Sequence, residues 1–103
     1  MKRIKRKKTL NVDYEKRTVR VGLIDPTTSV EDWDKKDIRT RAAYFLLNGV
    51  PEFSVNRTEN GRYALLAAEK DFHAAKSMGV TDLEVRVYSF NDKTRKLLAS
   101  LNA

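Results

Sequence analysis

Apolar and polar residues alternate at Leu10, Val12 and Tyr14, and again at Val19, Val21 and Leu23. A period of two predicts half-buried strands. Glu15-Lys16-Arg17 between them reads as a hairpin turn or, since it has no glycine, as the middle of one long bent strand. Asp25-Pro26 ends the strand region. Ser29 followed by Asp32 resembles a capping box and predicts a helix running to Asn48-Gly49, a good C-terminal stop. Its core stripe is Ile38, Ala42, Phe45 and Leu46, with Trp33 extending it. Ala43, Tyr44 and Leu47 widen the apolar face, as in a helix buried on more than one side or meeting a partner. Phe53 and Val55 point one way, Ser54 and Asn56 the other. Asn60-Gly61 is the strongest hairpin signal in the chain, with Arg62 to Ala67 as the return strand. Glu69 to Met78 reads as a short helix with Phe72, Ala75 and Met78 inward, closed by Gly79. Leu83, Val85 and Val87 alternate with Glu84, Arg86 and Tyr88 in a last strand. Lys93 to Leu101 can form a terminal helix edged by Leu97, Leu98 and Leu101.

Composition narrows the class. The chain has 103 residues, which fits one domain with a modest core. There is no cysteine, hence no disulfide framework, thiolate metal site or cysteine nucleophile. Thr9-Leu10-Asn11-Val12-Asp13 follows the basic start in place of an apolar segment, so no secretion signal is expected. No apolar run is long enough to predict a membrane span. The formal net charge is +7. Six of the 21 basic residues are Lys2, Arg3, Lys5, Arg6, Lys7 and Lys8, leaving 15 against 14 acidic residues elsewhere. Residues 1–8 are therefore expected to form a flexible basic arm, and residues 9–103 a nearly neutral single domain.

Lysine and arginine on a tether neutralise phosphates and release counterions without reading sequence. Such an arm also suits the minor groove. The hairpin tip from Asn56 to Arg62 offers arginines, amides and a hydroxyl on a narrow ribbon, groups suited to phosphates and groove edges. Lys70, His73 and Lys76 sit about three residues apart, which places them on one helix flank. The candidate DNA-binding residues are the six arm residues with Arg17, Arg20, Arg57, Thr58, Asn60, Arg62, Lys70, His73 and Lys76. His73 has no second histidine, cysteine or nucleophile at helical spacing and reads as a surface or hydrogen-bonded residue. Glu31, Asp32, Asp34 and Asp37 lack the glycine and closing glutamate of a calcium loop and read as helix-start charge. No phosphate-cradling loop or catalytic set stands out, so neither enzymatic activity nor a metal or cofactor is expected.

Asn60-Gly61-Arg62-Tyr63-Ala64-Leu65-Leu66-Ala67-Ala68-Glu69 resembles the N-terminal domain of the ParB family. The likeness continues through Ala74-Ala75-Lys76, Gly79 and Leu83 to Val87, and backwards to Val55 and Asn48-Gly49-Val50. Val19 to Asp25 corresponds to the family's first strand. About two thirds of the chain is covered, in short pieces. The resemblance implies a role in plasmid or chromosome partition, in a family many of whose members bind and hydrolyse CTP. The family's nucleotide box is typically Gly-Glu-Arg-Arg-x-Arg-Ala. Here it reads Ala68-Glu69-Lys70-Asp71-Phe72-His73-Ala74, without the glycine or the arginines, and Asp71 would repel a triphosphate. Glu52-Phe53-Ser54 replaces the Gln-Pro-Ile-type segment. The pattern also resembles small winged-helix accessory proteins of conjugative plasmids, of the TcpK kind, with the Asn60-Gly61 hairpin as wing.

The expected fold is thus α+β, with a β-hairpin wing and two to three helices, either winged helix-turn-helix-like or ParB N-terminal-like. The expected function is binding of double-stranded DNA of a plasmid or mobile element in the bacterial cytoplasm, in transfer, partition or transcription. A homodimer is expected, with other plasmid transfer or partition proteins as further partners. A degenerate ParB-like nucleotide-binding enzyme (CTPase or nuclease) and an RNA- or protein-interaction module are the alternatives.

Overall fold

The computed structural model describes residues 14–90 together with Leu97, Ser100 and Leu101. The basic arm, the Leu10–Val12 strand and most of the terminal helix with Leu98 lie outside the described residues; Leu97 and Leu101 are helical and exposed.

Five strands form one mixed sheet: β1 (Glu15–Arg20), β2 (Ile24–Asp25), β3 (Phe53–Arg57), β4 (Tyr63–Leu65) and β5 (Asp82–Tyr88). Their spatial order is β1-β5-β3-β4-β2. β1/β5 and β3/β4 are antiparallel, whereas β5/β3 and β4/β2 are parallel. Two helices, α1 (Lys35–Asn48) and α2 (Glu69–Ser77), complete the fold. This is an α+β domain. The β3–β4 hairpin is flanked by β5 and β2, so its strands lie inside the sheet and only residues 58–62 protrude. A winged helix, whose hairpin stands free, is not what forms.

Period-two patterning sets the core face. Val19, Phe53, Val55, Tyr63, Leu65, Leu83, Val85 and Val87 are all buried on it. Registers Phe53↔Val85, Val55↔Val87 and Val55↔Leu65 bring these side chains together across the three central strands. Phe72 of α2 is fully buried and meets Phe53 edge-on at 6.0 Å. Ala74 and Ala75 are also fully buried, and their small side chains let α2 lie close to its neighbours.

Several sequence expectations are corrected. Glu15-Lys16-Arg17 is neither a turn nor a bend; it is the first half of β1, paired opposite Val87, Arg86 and Val85. The Ser29–Asp32 capping box exists but closes only a short 3-10 turn, Val30–Asp32. Trp33 then turns extended (φ −115°, ψ 149°) and sends its indole N–H back to the Thr28 hydroxyl, 3.1 Å away. The true helix start is one turn later. There Asp34 accepts from the backbone N–H groups of Lys36 (2.7 Å) and Asp37 (3.4 Å). On α1, Ile38 and Phe45 are buried and Ala42 packs against the core, but Leu46 is 75 % exposed. Leu46 lies about 100° around the helix from Phe45, off the stripe that meets the core. Asn56 does not face solvent. It is buried, and its amide oxygen accepts the Phe90 backbone N–H at 2.7 Å.

Candidate functional site

The loop between β2 and α1 and the start of α2 make the most connected polar site. Glu69 opens α2, and its carboxylate faces the loop. It accepts from the Thr27 N–H (2.9 Å) and hydroxyl (3.0 Å), and from the Thr28 N–H (3.1 Å) and hydroxyl (2.6 Å). The Thr28 hydroxyl has one hydrogen, given to Glu69. Its lone pairs therefore accept from Trp33 Nε1 and from His73 Nε2, each 3.1 Å away. That accounting puts a proton on Nε2 of His73. The donors of Thr27 and Thr28 thus form an anion-binding set that the chain fills with its own carboxylate.

Burial alone would raise the Glu69 pKa, but hydrogen bonds from Thr27 and Thr28 outweigh it and hold the carboxyl below its ordinary value of 4.5. The unfolded chain therefore takes up this proton more readily than the folded one. The stability Glu69 contributes is complete above 4.5 and is lost as pH falls through the lowered value. Glu69→Gln is expected to lower stability by about 1 kcal/mol at neutral pH, because it removes the charged acceptor shared by the exposed Thr27 and part-buried Thr28 donors. It is also expected to weaken the acid-side fall. Urea melts between pH 3 and 7 check both, and an unchanged acid limb would refute the assignment.

Against this network lies a cleft of about 430 Å³ lined by Pro26, Thr28, Ser29, Val30, His73, Lys76 and Ser77. The rest of the nucleotide-box stretch is arranged for packing. Ala68 sits in the left-handed region (φ 62°, ψ 46°), where the ParB box has its glycine and where alanine is strained. Asp71 is not poised over an open phosphate site. It accepts from Arg41 Nε of α1 at 2.7 Å and from Nη2 at 3.4 Å, tying the two helices. The Arg41 guanidinium also stacks on Tyr44 and Phe45.

The sequence-selected basic residues fare differently. Arg62 reaches both carboxylate oxygens of Asp25 (2.8 and 2.7 Å) and the Gly22 carbonyl. Arg62 holds the Asp25 carboxyl below its ordinary value. Arg57 pairs with Glu15 at 3.1 Å, and Arg17 with Glu15 at 3.3 Å and the Tyr63 hydroxyl at 3.5 Å. The Thr58 hydroxyl lies within hydrogen-bond distance of Asn60 Oδ1 and the Arg62 carbonyl, closing the tip on itself. Arg20 is exposed and borders a second cleft of about 500 Å³ with Val21, Gly22, Val80, Thr81 and Asp82. Lys70, His73 and Lys76 do not form one exposed flank. Lys70 is half-buried, Lys76 is exposed, and His73 is 5 % exposed because its ring turns in to Thr28 and Phe72. The Nε2 of His73 is already engaged by the Thr28 hydroxyl.

Sequence reasoning did not find the partners of Glu69 and Asp71. The Thr27-Thr28 pair is the one local signal for Glu69, whereas Arg41 lies 30 residues from Asp71 with nothing to link them. No group of three His, Asp or Glu side chains among the described residues can hold a metal. No helix among them is long and apolar enough to cross a membrane.

No family model and no curated protein matches the chain. Solved structures do. The C-terminally truncated chromosome-partitioning protein ParB from Caulobacter crescentus, complexed with CTP-γ-S, superposes with a TM-score of 0.68 at 16 % identity, over 86 % of this chain and 53 % of that one. The same protein complexed to the centromeric parS site gives 0.62 at 15 % identity, over 81 % and 44 %. Sulfiredoxin from Arabidopsis thaliana gives 0.66 at 10 % identity, over 82 % and 96 %. The fold is that of ParB N-terminal domains, one that sulfiredoxin shares. The chain spans about half the length of the ParB it matches.

Proposed function

We propose that this chain is a non-enzymatic protein that binds double-stranded DNA of a plasmid or other mobile element. It uses a ParB N-terminal scaffold whose nucleotide box has been turned over to packing. One observation carries this reading. The arginines of the folded body at positions 17, 41, 57, 62 and 86 each face a carboxylate, while six of the chain's 21 basic residues are concentrated in residues 2–8. Phosphate neutralisation therefore falls to the arm, helped by Arg20, Lys70 and Lys76. Support also comes from the parS-bound ParB among the structural relatives. The setting would be the bacterial cytoplasm, with other transfer or partition proteins as partners. A salt titration of duplex binding with and without residues 2–8 tests the reading: removal is expected to flatten the slope, and an unchanged slope would refute it.

A second copy is the proposed partner for the C-terminal end of α1, where Tyr44, Leu46 and Leu47 are 50, 75 and 85 % exposed. Two arms on one duplex would raise affinity by avidity. Leu46→Lys with Leu47→Lys is expected to shift sedimentation to a monomer; a monomeric parent protein would end this part of the reading.

The cleft beside Thr28, Ser29 and Lys76 favours a second reading, residual nucleotide binding. Against it stand the missing arginines and the Asp71–Arg41 pair. A rise in melting temperature on adding CTP would revive it.

A further inference from the structure

We propose that Arg17, Arg57 and the Tyr63 hydroxyl form a binding site for a phosphate group, in which Glu15 is a displaceable occupant. Strand register brings the four residues to one face of the sheet. Glu15 and Arg17 stand opposite Val87 and Val85, both buried. Arg57 and Tyr63 are paired across β3 and β4, in step with the buried pair Val55 and Leu65. All four therefore lie on the core face, at a rim where the side chains of Glu15, Arg17 and Arg57 are 55, 45 and 42 % exposed. Oε2 of Glu15 is 3.3 Å from Arg17 Nε, and Oε1 is 3.1 Å from Arg57 Nη2. One carboxylate thus serves two guanidinium groups, and a positive charge is left over. No other carboxylate among the described residues pairs with either arginine.

Tyr63 supplies an independent sign of a ligand. It is buried, and its hydroxyl lies 3.5 Å from Arg17 Nη1. A guanidinium only donates, so the hydroxyl accepts there, and its own hydrogen has no acceptor among the described residues. Polar groups of buried side chains are nearly always bonded, so an unanswered O–H beside two arginines marks a place for an acceptor. A phosphate group fits it. Its oxygens accept from two guanidinium groups at once and can take a third hydrogen from a hydroxyl. Glu15 engages the arginines but leaves Tyr63 unanswered. An exposed carboxylate in such a pair is held weakly, because water screens the attraction and the side chain regains its freedom on leaving. Displacing Glu15 therefore costs little. The folded body then offers one phosphate contact in addition to the arm.

The test is an NMR titration of the full chain with inorganic phosphate, against chloride at equal ionic strength, following the Nε–H signals of Arg17 and Arg57. Saturable shifts are expected with phosphate alone. Tyr63→Phe removes only the oxygen and is expected to bind about fivefold more weakly, the effect of one hydrogen bond. Glu15→Gln is expected to bind about threefold more tightly, because the occupant no longer competes. Glu84→Gln makes the same charge change at an exposed position facing away from the core, and is expected to leave the affinity unchanged. Shifts equal to those in chloride, no loss in Tyr63→Phe, no gain in Glu15→Gln, or an equal gain in Glu84→Gln would each overturn the site. If Tyr63→Phe melts early, Arg57→Gln, at an exposed position, is read in its place with a loss expected. A duplex titration of the parent protein and Glu15→Gln separates the sources of the phosphate. A parallel gain on duplex places the site on a nucleic-acid backbone, and an unchanged duplex affinity assigns it to a small phosphate compound. Absence of duplex binding would end the DNA reading and leave the phosphate titration to decide this site by itself.

Discussion

Removing residues 2–8 is expected to flatten the salt dependence of duplex binding by about five in log–log slope, and to abolish most binding near physiological salt. Each phosphate neutralised contributes a slope of about −0.9 through counterion release. Six arm cations then account for a slope near −5, equivalent to an affinity change of roughly 10³-fold between 50 and 200 mM salt. The hairpin tip cannot replace them, since Arg57 and Arg62 are already held by Glu15 and Asp25. A slope loss near ten per complex would mean that two copies bind together. A truncated protein with an unchanged slope would sink the assignment of phosphate contacts to the arm. Replacing the same six residues with glutamine separates charge from length and should behave like the deletion.

Phe72→Ala is expected to lower stability by about 3–5 kcal/mol, the usual range for emptying a buried aromatic site. Phe72 has no exposed surface, stands edge-on to Phe53, and joins α2 to the centre of the sheet. The void would open between two elements that cannot close on it, because β3 is held on both sides by β4 and β5. Domains of this size have about 5–15 kcal/mol in total, so the variant should be partly unfolded at 37 °C. Lys36→Ala, at an exposed position of α1, should change stability by less than about 0.5 kcal/mol. Urea denaturation of the two variants side by side checks the contrast. Equal effects would mean that the core is not centred on Phe72.

Much of the fold was legible because it rests on local periodicity. Val55, Val85 and Val87 are buried as their alternation requires, Phe72 and Ala75 face inward as their spacing requires, and Gly61 and Gly79 close turns at positive φ. The start of α1 was misplaced because two caps compete within six residues. Ser29 satisfies the local rule, but Trp33 leaves the helical path to pack on the core and bond Thr28, so Asp34 wins. Leu46 was misjudged for a related reason: an apolar residue next to a core position is buried only if a second surface arrives, and none does among the described residues.

The candidate site was less legible, since function here depends on which charges are already spoken for. Arg62 reads as a phosphate ligand until Asp25, 37 residues earlier, is brought to it by the parallel pairing of β2 with β4. His73 reads as one member of a basic flank until the loop carrying Thr28 folds over it. Asp71 reads as a repulsive element and turns out to be an interhelix bond.

By itself, the amino-acid sequence determined the strand and helix faces, the concentration of charge in residues 2–8 and the loss of the box arginines, because each is a property of neighbours along the chain. Only the tertiary structure decided that the hairpin lies within the sheet, that Glu69 fills the anion-binding set of Thr27 and Thr28, and that the rings of Tyr14, Tyr88 and Phe90 lie side by side. Those outcomes depend on contacts between residues tens of positions apart, and their partners become definite only when the whole core has packed.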